Sequence, residues 1–197
     1  MKAAVFGVTV VLTILAGSPL RADMINFDDL TGEVDLHAIS PYQGFNWSED
    51  FLSSKISAGG YGVMDSQLAL NANETSPIFT MSVAAPSFDA LSLDMISAWR
   101  TWNTYRVEGL LGSAVKDSMD VQVTPFQVSH VILNFVGIDT LRWTHLADSG
   151  IDVGPGSGSH IAIDNIEFVP MAIPPPAAVL LGAIGLGLVG WARKRLQ

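Results

Sequence analysis

The sequence of 197 residues predicts an all-β domain, an antiparallel β-sandwich or jelly roll, flanked by an N-terminal signal helix and a C-terminal transmembrane helix. Three observations support this prediction. Apolar and polar residues alternate with a period of two through the middle of the chain, helical periodicity is weak there, and both ends are apolar. Short alternating segments spaced by about 8 to 12 residues are typical of sandwiches and barrels.

The N-terminal segment, residues 1–22, has the layout of a secretory signal peptide. Lys2 supplies the positive start, and an apolar run of about 15 residues follows it. We expect the secretion machinery to export the chain and signal peptidase to cleave it between Ala22 and Asp23. The alternative is an uncleaved anchor helix, which so short an apolar run disfavours.

Residues 23–171 form the predicted β-sandwich, with eight or nine strands. The clearest alternating or apolar segments are 25–30, 78–83, 91–95, 105–108, 119–123, 131–135, 141–144 and 161–169. Turn-forming residues separate several of them, namely Gly112–Ser113, Thr124–Pro125, Gly137 and Gly150–Ser159. The last segment changes phase, which a β-bulge at Asp164–Asn165 would explain.

This middle segment is strongly acidic. It contains all 19 acidic residues and only five cations, so its net charge is −14. Such a surface repels phosphate groups, and we therefore expect no nucleic-acid partner. The sequence contains no cysteine, which excludes disulfides, zinc–thiolate sites and cysteine nucleophiles.

The C-terminal segment, residues 172–197, combines three features in a fixed order. These are the proline cluster Pro174, Pro175 and Pro176, an uncharged helix predicted over 177–192, and the basic residues Arg193, Lys194 and Arg195. The helix would be about 24 Å long, slightly short of a hydrocarbon core of about 30 Å. The basic cluster would stop transfer and stay cytoplasmic, so the tail is predicted to anchor the chain in the membrane. The alternative, a buried core helix, does not suit a terminal segment with a basic stop.

This order of features resembles the PEP-CTERM sorting signal, found in exported proteins of exopolysaccharide-producing Gram-negative bacteria. Pro174 to Pro176 take the place of the Pro-Glu-Pro motif, with Pro175 instead of glutamate. The segment from Ile173 to Ala178 is similar to the variant Val-Pro-Leu-Pro-Ala. The resemblance covers about 25 residues. It implies processing by an exosortase-like protease and two alternative locations: the inner membrane with the domain in the periplasm, or the cell surface and extracellular matrix.

The opening and closing segments of the domain resemble those of extracellular jelly-roll modules, which include many carbohydrate-binding modules. In such modules the terminal strands pair and a calcium ion lies near them. By this resemblance, Asp28 or Asp29 together with Asp164 would hold a structural calcium ion, the one cofactor that the sequence suggests. The alternative is that Asp164 is a bulge aspartate whose carboxylate accepts backbone N–H groups.

Tryptophans are the candidates for carbohydrate binding, because a pyranose face stacks on an exposed aromatic ring. Trp47 follows a turn, and Trp99 and Trp102 follow a predicted strand. The alternative is that they are core residues, since tryptophan is buried on average. Trp143 alternates within a strand and is expected in the core, and the glycine-rich loop 148–159 is interpreted as a flexible surface turn.

Catalytic patterns are not evident in the sequence. The four histidines are scattered, and neither a nucleophile elbow nor a phosphate-binding glycine loop occurs. We therefore expect a non-enzymatic, surface-directed protein of an extracellular polysaccharide matrix with weak carbohydrate binding. Two alternatives remain open. One is an exported carbohydrate-active enzyme, whose paired carboxylates need only lie about 5 to 10 Å apart in the fold; the other is a structural surface protein without a ligand.

Overall fold

The computed structural model describes residues 21–30, 37–48, 51–54, 68–71, 78–84, 87–153 and 156–171, and the single positions 184, 191 and 194. The predicted signal helix, the proline cluster and most of the predicted tail helix lie outside these ranges. Ile184, Trp191 and Lys194 are helical. Within the described residues, no helix has both the length and the apolar character needed to cross a membrane.

Twelve strands occur in the described ranges. They are β1 (Asp23–Ile25), β2 (His37–Ala38), β3 (Asn46–Trp47), β4 (Phe51–Ser54), β5 (Leu68–Asn71), β6 (Ile78–Ser82), β7 (Phe88–Ser97), β8 (Asn103–Leu111), β9 (Ala114–Val123), β10 (Ser129–Ile138), β11 (Thr140–Asp148) and β12 (Ile161–Pro170). The predicted strands from residue 78 onwards are confirmed, and each is at least as long as the segment that predicted it or overlaps nearly all of it. The short strands β2 to β5 were not predicted.

The strands form two antiparallel sheets, which confirms the predicted antiparallel β-sandwich. One sheet has the order β10-β7-β12-β5-β4-β2, and β1 also pairs with β12. The other has the order β3-β6-β11-β8-β9. The expected pairing of the terminal strands is confirmed, since Asp23 lies opposite Phe168. The opening strand ends at Ile25 instead of extending to residue 30, because the chain turns at Asp28 and Asp29.

The hydrophobic core lies between the sheets because alternate residues of each strand point inwards. In β8, Tyr105 and Val107 are buried while Arg106 between them is exposed. Trp143 of β11 is fully buried, which confirms its predicted core position. Burying a large apolar side chain of this kind contributes roughly 1.5 to 3 kcal/mol.

The register of the first sheet is irregular at several places, and two of them bear on the sequence predictions. The register between β12 and β7 shifts between Asp164 and Glu167, where Asn165 has a φ of 48°. This confirms the predicted bulge, which returns Ile166 and Phe168 to the core. Gly137, with a φ of 62°, lies inside β10 and not in a turn between strands, so that turn prediction is wrong. A glycine with positive φ can instead form a bulge, and the register of β10 shifts at this place.

The strand directions define two ends of the sandwich. β12 begins at Ile161 beside Ser97 and ends at Pro170 beside Phe88, a distance of about 30 Å at about 3.3 Å per residue. We call the end with the loops 98–102 and 124–128 and with the segments 149–153 and 156–160 the loop pole. We call the end with the turn at Gly112 and with Met171, which follows β12, the tail pole.

Candidate functional site

The loop between β7 and β8 carries two half-buried aromatic residues, Trp99 and Trp102, at the loop pole. Its backbone is hydrogen-bonded to the segment that follows β11. The N–H of Val153 donates to the carbonyl of Trp99 at 2.6 Å, and the N–H of Ser149 donates to the carbonyl of Trp102 at 3.1 Å. The segment predicted as a flexible turn is thus tied to the aromatic loop, and these bonds fix the backbone that carries both tryptophans.

Trp99 makes two sets of contacts with the domain, and part of the residue remains exposed to solvent. A Cβ atom on Gly156 would lie 2.4 to 2.6 Å from three carbons of the indole ring, so only glycine allows this close approach. Trp99 also packs against a small buried cluster formed by Ile96, Ala98 and Ala162, separate from the main core. The orientation of Trp99 is therefore set by the fold.

Arg100, between the two tryptophans, is paired with carboxylates on both sides. Its Nη1 donates to Asp152 Oδ1 at 2.9 Å, and its Nε lies 3.4 Å from Asp148 Oδ1. Burial acts to raise the pKa of Asp148, but the N–H of Gly150, the hydroxyl of Ser159 and Arg100 outweigh it and lower that pKa. The group formed by Arg100, Asp148 and Asp152 therefore carries a net negative charge at neutral pH.

Buried polar side chains, those of Ser97, Asn103 and Tyr105, lie at the end of the core next to the aromatic loop. Asn103 is fully buried, and its Nδ2 donates to Ser97 Oγ at 2.8 Å. Its Oδ1 has no hydrogen-bond partner among the described residues. Tyr105 donates its hydroxyl to the carbonyl of Ser159. Burial lowers the pKa of His145, which faces Tyr105, so this histidine is neutral at neutral pH.

Trp47 does not belong to this site. It is 4% exposed, its ring meets Phe27 edge to face at a centroid distance of 5.6 Å, and its Nε1 donates to the carbonyl of Tyr42 at 3.2 Å. No ring face remains for a sugar, so the expectation of stacking on Trp47 is wrong. The inward position follows from β3, in which the neighbouring Asn46 is the exposed residue.

The carboxylates predicted for calcium have other partners. Asp29 accepts a hydrogen bond from the Tyr42 hydroxyl. Asp164 is buried, and its Oδ1 accepts the backbone N–H of Asn165 at 2.8 Å, as the alternative interpretation of a bulge aspartate stated. In the part of the chain that the structure describes, no three histidine, aspartate or glutamate side chains are grouped to hold a metal ion. Structural calcium at Asp28, Asp29 and Asp164 therefore stays a prediction.

The sequence did not indicate a third aromatic residue at the loop pole, Phe126. It lies in the turn between β9 and β10, is 58% exposed and has a φ of 64°. The turn at Thr124 and Pro125 was predicted and is confirmed. A turn signal does not say which side chain is presented to solvent, so Phe126 carried no signal of its own.

No protein-family model matches the chain, and no curated protein matches it. Among solved structures, the chain is similar to the C-terminal family 22 carbohydrate-binding module of Clostridium thermocellum Xyn10B, with 13% identity, a TM-score of 0.42, and coverage of 75% of this chain and 99% of that one. It is also similar to a family 29 carbohydrate-binding module from Piromyces equi, with 11% identity, a TM-score of 0.40, and coverage of 77% and 91%. An agarase, AgWH50C, matches with 7% identity and a TM-score of 0.40 over 70% of this chain and 24% of that one. Similarity at this level carries no argument about function.

Proposed function

We propose that this protein is an exported, non-enzymatic surface protein whose jelly-roll domain binds a neutral polysaccharide through Trp99 and Trp102. The observation that carries the proposal is the pair of half-buried tryptophans on one loop, whose backbone is held by hydrogen bonds to the segment after β11. Binding sites commonly combine aromatic surface with a few fixed polar groups, and a preformed site loses little entropy on binding.

The charges support an uncharged ligand. A uronate or sulfate group is best bound by an arginine free to form charge-assisted hydrogen bonds. Arg100 is already paired with two carboxylates. The other described cations of the domain lie on strands and bind protein groups: Arg106 binds Asp120, Arg142 binds Glu108, and Lys116 binds the carbonyl of Val136. The net negative charge here would repel an anionic chain, whereas it would not repel a neutral one.

Export and sorting are part of the proposal and rest on the sequence. The signal segment with its cleavage at Ala22–Asp23 would deliver the domain across the membrane. The segment with Pro174, Pro175 and Pro176 and the basic residues Arg193 to Arg195 would then anchor it or be processed by an exosortase-like enzyme. Delivery to the cell surface suits a role in a polysaccharide matrix.

Affinity electrophoresis of the full-length protein in native gels tests the binding. The protein carries a net charge of −9 and migrates towards the anode, so a polysaccharide in the gel that binds it slows it. We expect dextran, galactomannan or a soluble β-glucan to slow the wild type, and alginate to leave it unchanged. Trp102→Ala should weaken retardation about tenfold, as loss of an aromatic anchor does.

Leu111→Ala is the matched control, because Leu111 is an exposed apolar residue of the tail pole. It should bind as the wild type does. Absence of retardation by every neutral polysaccharide would contradict the proposed function. Release of shortened oligosaccharides from the same polysaccharides would favour the alternative of a carbohydrate-active enzyme.

Mass spectrometry of the mature protein tests the sorting proposal. We expect an N-terminus at Asp23 and, after processing, a C-terminus upstream of the basic cluster. A chain that ends at Gln197 would show that the tail anchors the protein without being cleaved.

A further inference from the structure

The turn between β9 and β10 has an unusual residue at its third position. Thr124 and Gln127 bridge the turn, with Pro125 and Phe126 between them. Pro125 at the second position and a φ of 64° at the third are the layout of a type II turn. Such a turn requires positive φ at its third position, which is why glycine or asparagine is normally found there.

Phenylalanine is costly at this position. In the left-handed region a Cβ atom crowds the following carbonyl, and a bulky side chain makes this an outlier. Two of the other non-glycine residues with positive φ are Asn134 and Asn165, whose short polar side chains suit the conformation. Phe126 has no such compensation.

Packing does not explain Phe126 either. The ring is 58% exposed and belongs to neither hydrophobic cluster of the described residues. Residues in costly backbone conformations often serve a functional site, and the inference runs from the observed outlier to the function.

The turn lies beside the aromatic loop. The carbonyl of Thr124 accepts the N–H of Ser97 at 3.3 Å, and Val128 packs against the same buried cluster as Trp99. Phe126 is two residues from both Thr124 and Val128, so its Cα lies within about 7 Å of each of theirs. The ring is therefore presented at the same pole as the two tryptophans.

We propose that Phe126 is a third stacking residue of the site, which rests on the proposed function and extends it. Three aromatic residues from two loops, Trp99, Trp102 and Phe126, would contact successive sugar rings. The ligand is then a polymer segment of several neutral sugar units and not a mono- or disaccharide.

Variants that keep the turn but remove the ring test this inference. Phe126→Gly and Phe126→Asn both suit the left-handed conformation. Each should keep or raise the melting temperature of the full-length protein, with a rise of about 2 °C expected for asparagine. Each should also weaken retardation by the neutral polysaccharide that slows the wild type, by about threefold to tenfold. Competition with maltose should leave that retardation unchanged, whereas short oligosaccharides of the binding polysaccharide should relieve it.

Three outcomes would overturn the inference, and they are distinguishable. If both variants bind as the wild type while Trp102→Ala does not, Phe126 is outside the site and the proposed function stands. If both variants melt more than a few degrees lower, Phe126 has a structural role. If the wild type binds no neutral polysaccharide, the proposed function fails and this inference fails with it.

Discussion

Alanine in place of Gly109 would insert a methyl group between the two sheets. A Cβ atom at this position of β8 would lie 2.9 Å from Ile138 Cγ2 and 2.9 Å from Phe135 Cδ2. Both neighbours belong to β10 of the opposite sheet and are buried. Since carbon atoms pack at about 3.5 to 4.0 Å, these contacts are short by about 0.6 Å or more, and either the side chains or the strands must move.

The cost of such overpacking is typically about 1 to 3 kcal/mol. For a domain of this size, 1 kcal/mol corresponds to about 2 to 4 °C in melting temperature. We therefore expect Gly109→Ala to lower the melting temperature of the full-length protein by about 2 to 12 °C. Exposed positions tolerate substitution, so Gly112→Asn is the control: asparagine suits the φ of 61° there, and no atom lies within 4 Å of the added Cβ.

Thermal unfolding followed by circular dichroism measures this effect. A double-mutant cycle with Ile138→Ala sharpens it, because that change removes one of the two short contacts and Gly109→Ala should then cost less. An unchanged melting temperature for Gly109→Ala would refute the close approach of β8 and β10 on which the packing of the sandwich depends.

Two further predictions concern pH. His145 has a pKa lowered by burial, so the unfolded chain binds a proton that the folded chain does not, and stability should fall as the pH drops below the ordinary histidine value of about 6.5. In urea titrations, His145→Gln should show a shallower loss between pH 7.5 and pH 5 than the wild type, and equal slopes would contradict this. Burial and the hydrogen bond to Asp29 raise the pKa of Tyr42 to about 12, so stability from its neutral phenol should be lost as the pH rises through the range from 10 to 12. Absorbance at about 295 nm should show that Tyr42 ionises late, and Asp29→Asn should shift its pKa towards the ordinary value of about 10.

The alternation of long strands was enough to predict the sandwich. It works for β8 to β12 because each places several apolar residues on one face, and a shift by one residue would turn that face to solvent. It fails for Leu91, which shares a period of two with Leu93 and Met95 but lies only half-buried. The pairing explains this: Glu167 lies opposite Ser92 while Phe168 lies opposite Ala90, so Leu91 is an extra residue in β7.

The candidate site was only partly predictable. Trp47 and Trp102 have similar polar neighbours in the sequence, yet one is in the core and the other is at the loop pole. A strand of two residues such as β3 is too short to show an alternating pattern in the sequence. Which of its side chains points inwards is set by its pairing with β6. Phe126 is displayed by the backbone conformation of its turn, and Arg100 is neutralised by residues about 50 positions away. Neither the exposure of Phe126 nor the ion pairs of Arg100 can be predicted from the residues adjacent to them in the sequence.

The course of β12 has a mechanical consequence. A polysaccharide held at the loop pole and a tail fixed beyond Met171 would pull on the domain from opposite ends. The tension would run lengthwise through β12, which is flanked by β7 on one side and by β1 and β5 on the other. In this direction the hydrogen bonds of neighbouring strands share the force, whereas a pull across the strand would open them one at a time. If the proposed function holds, the sandwich would act as a tether that resists shear between a cell and its matrix.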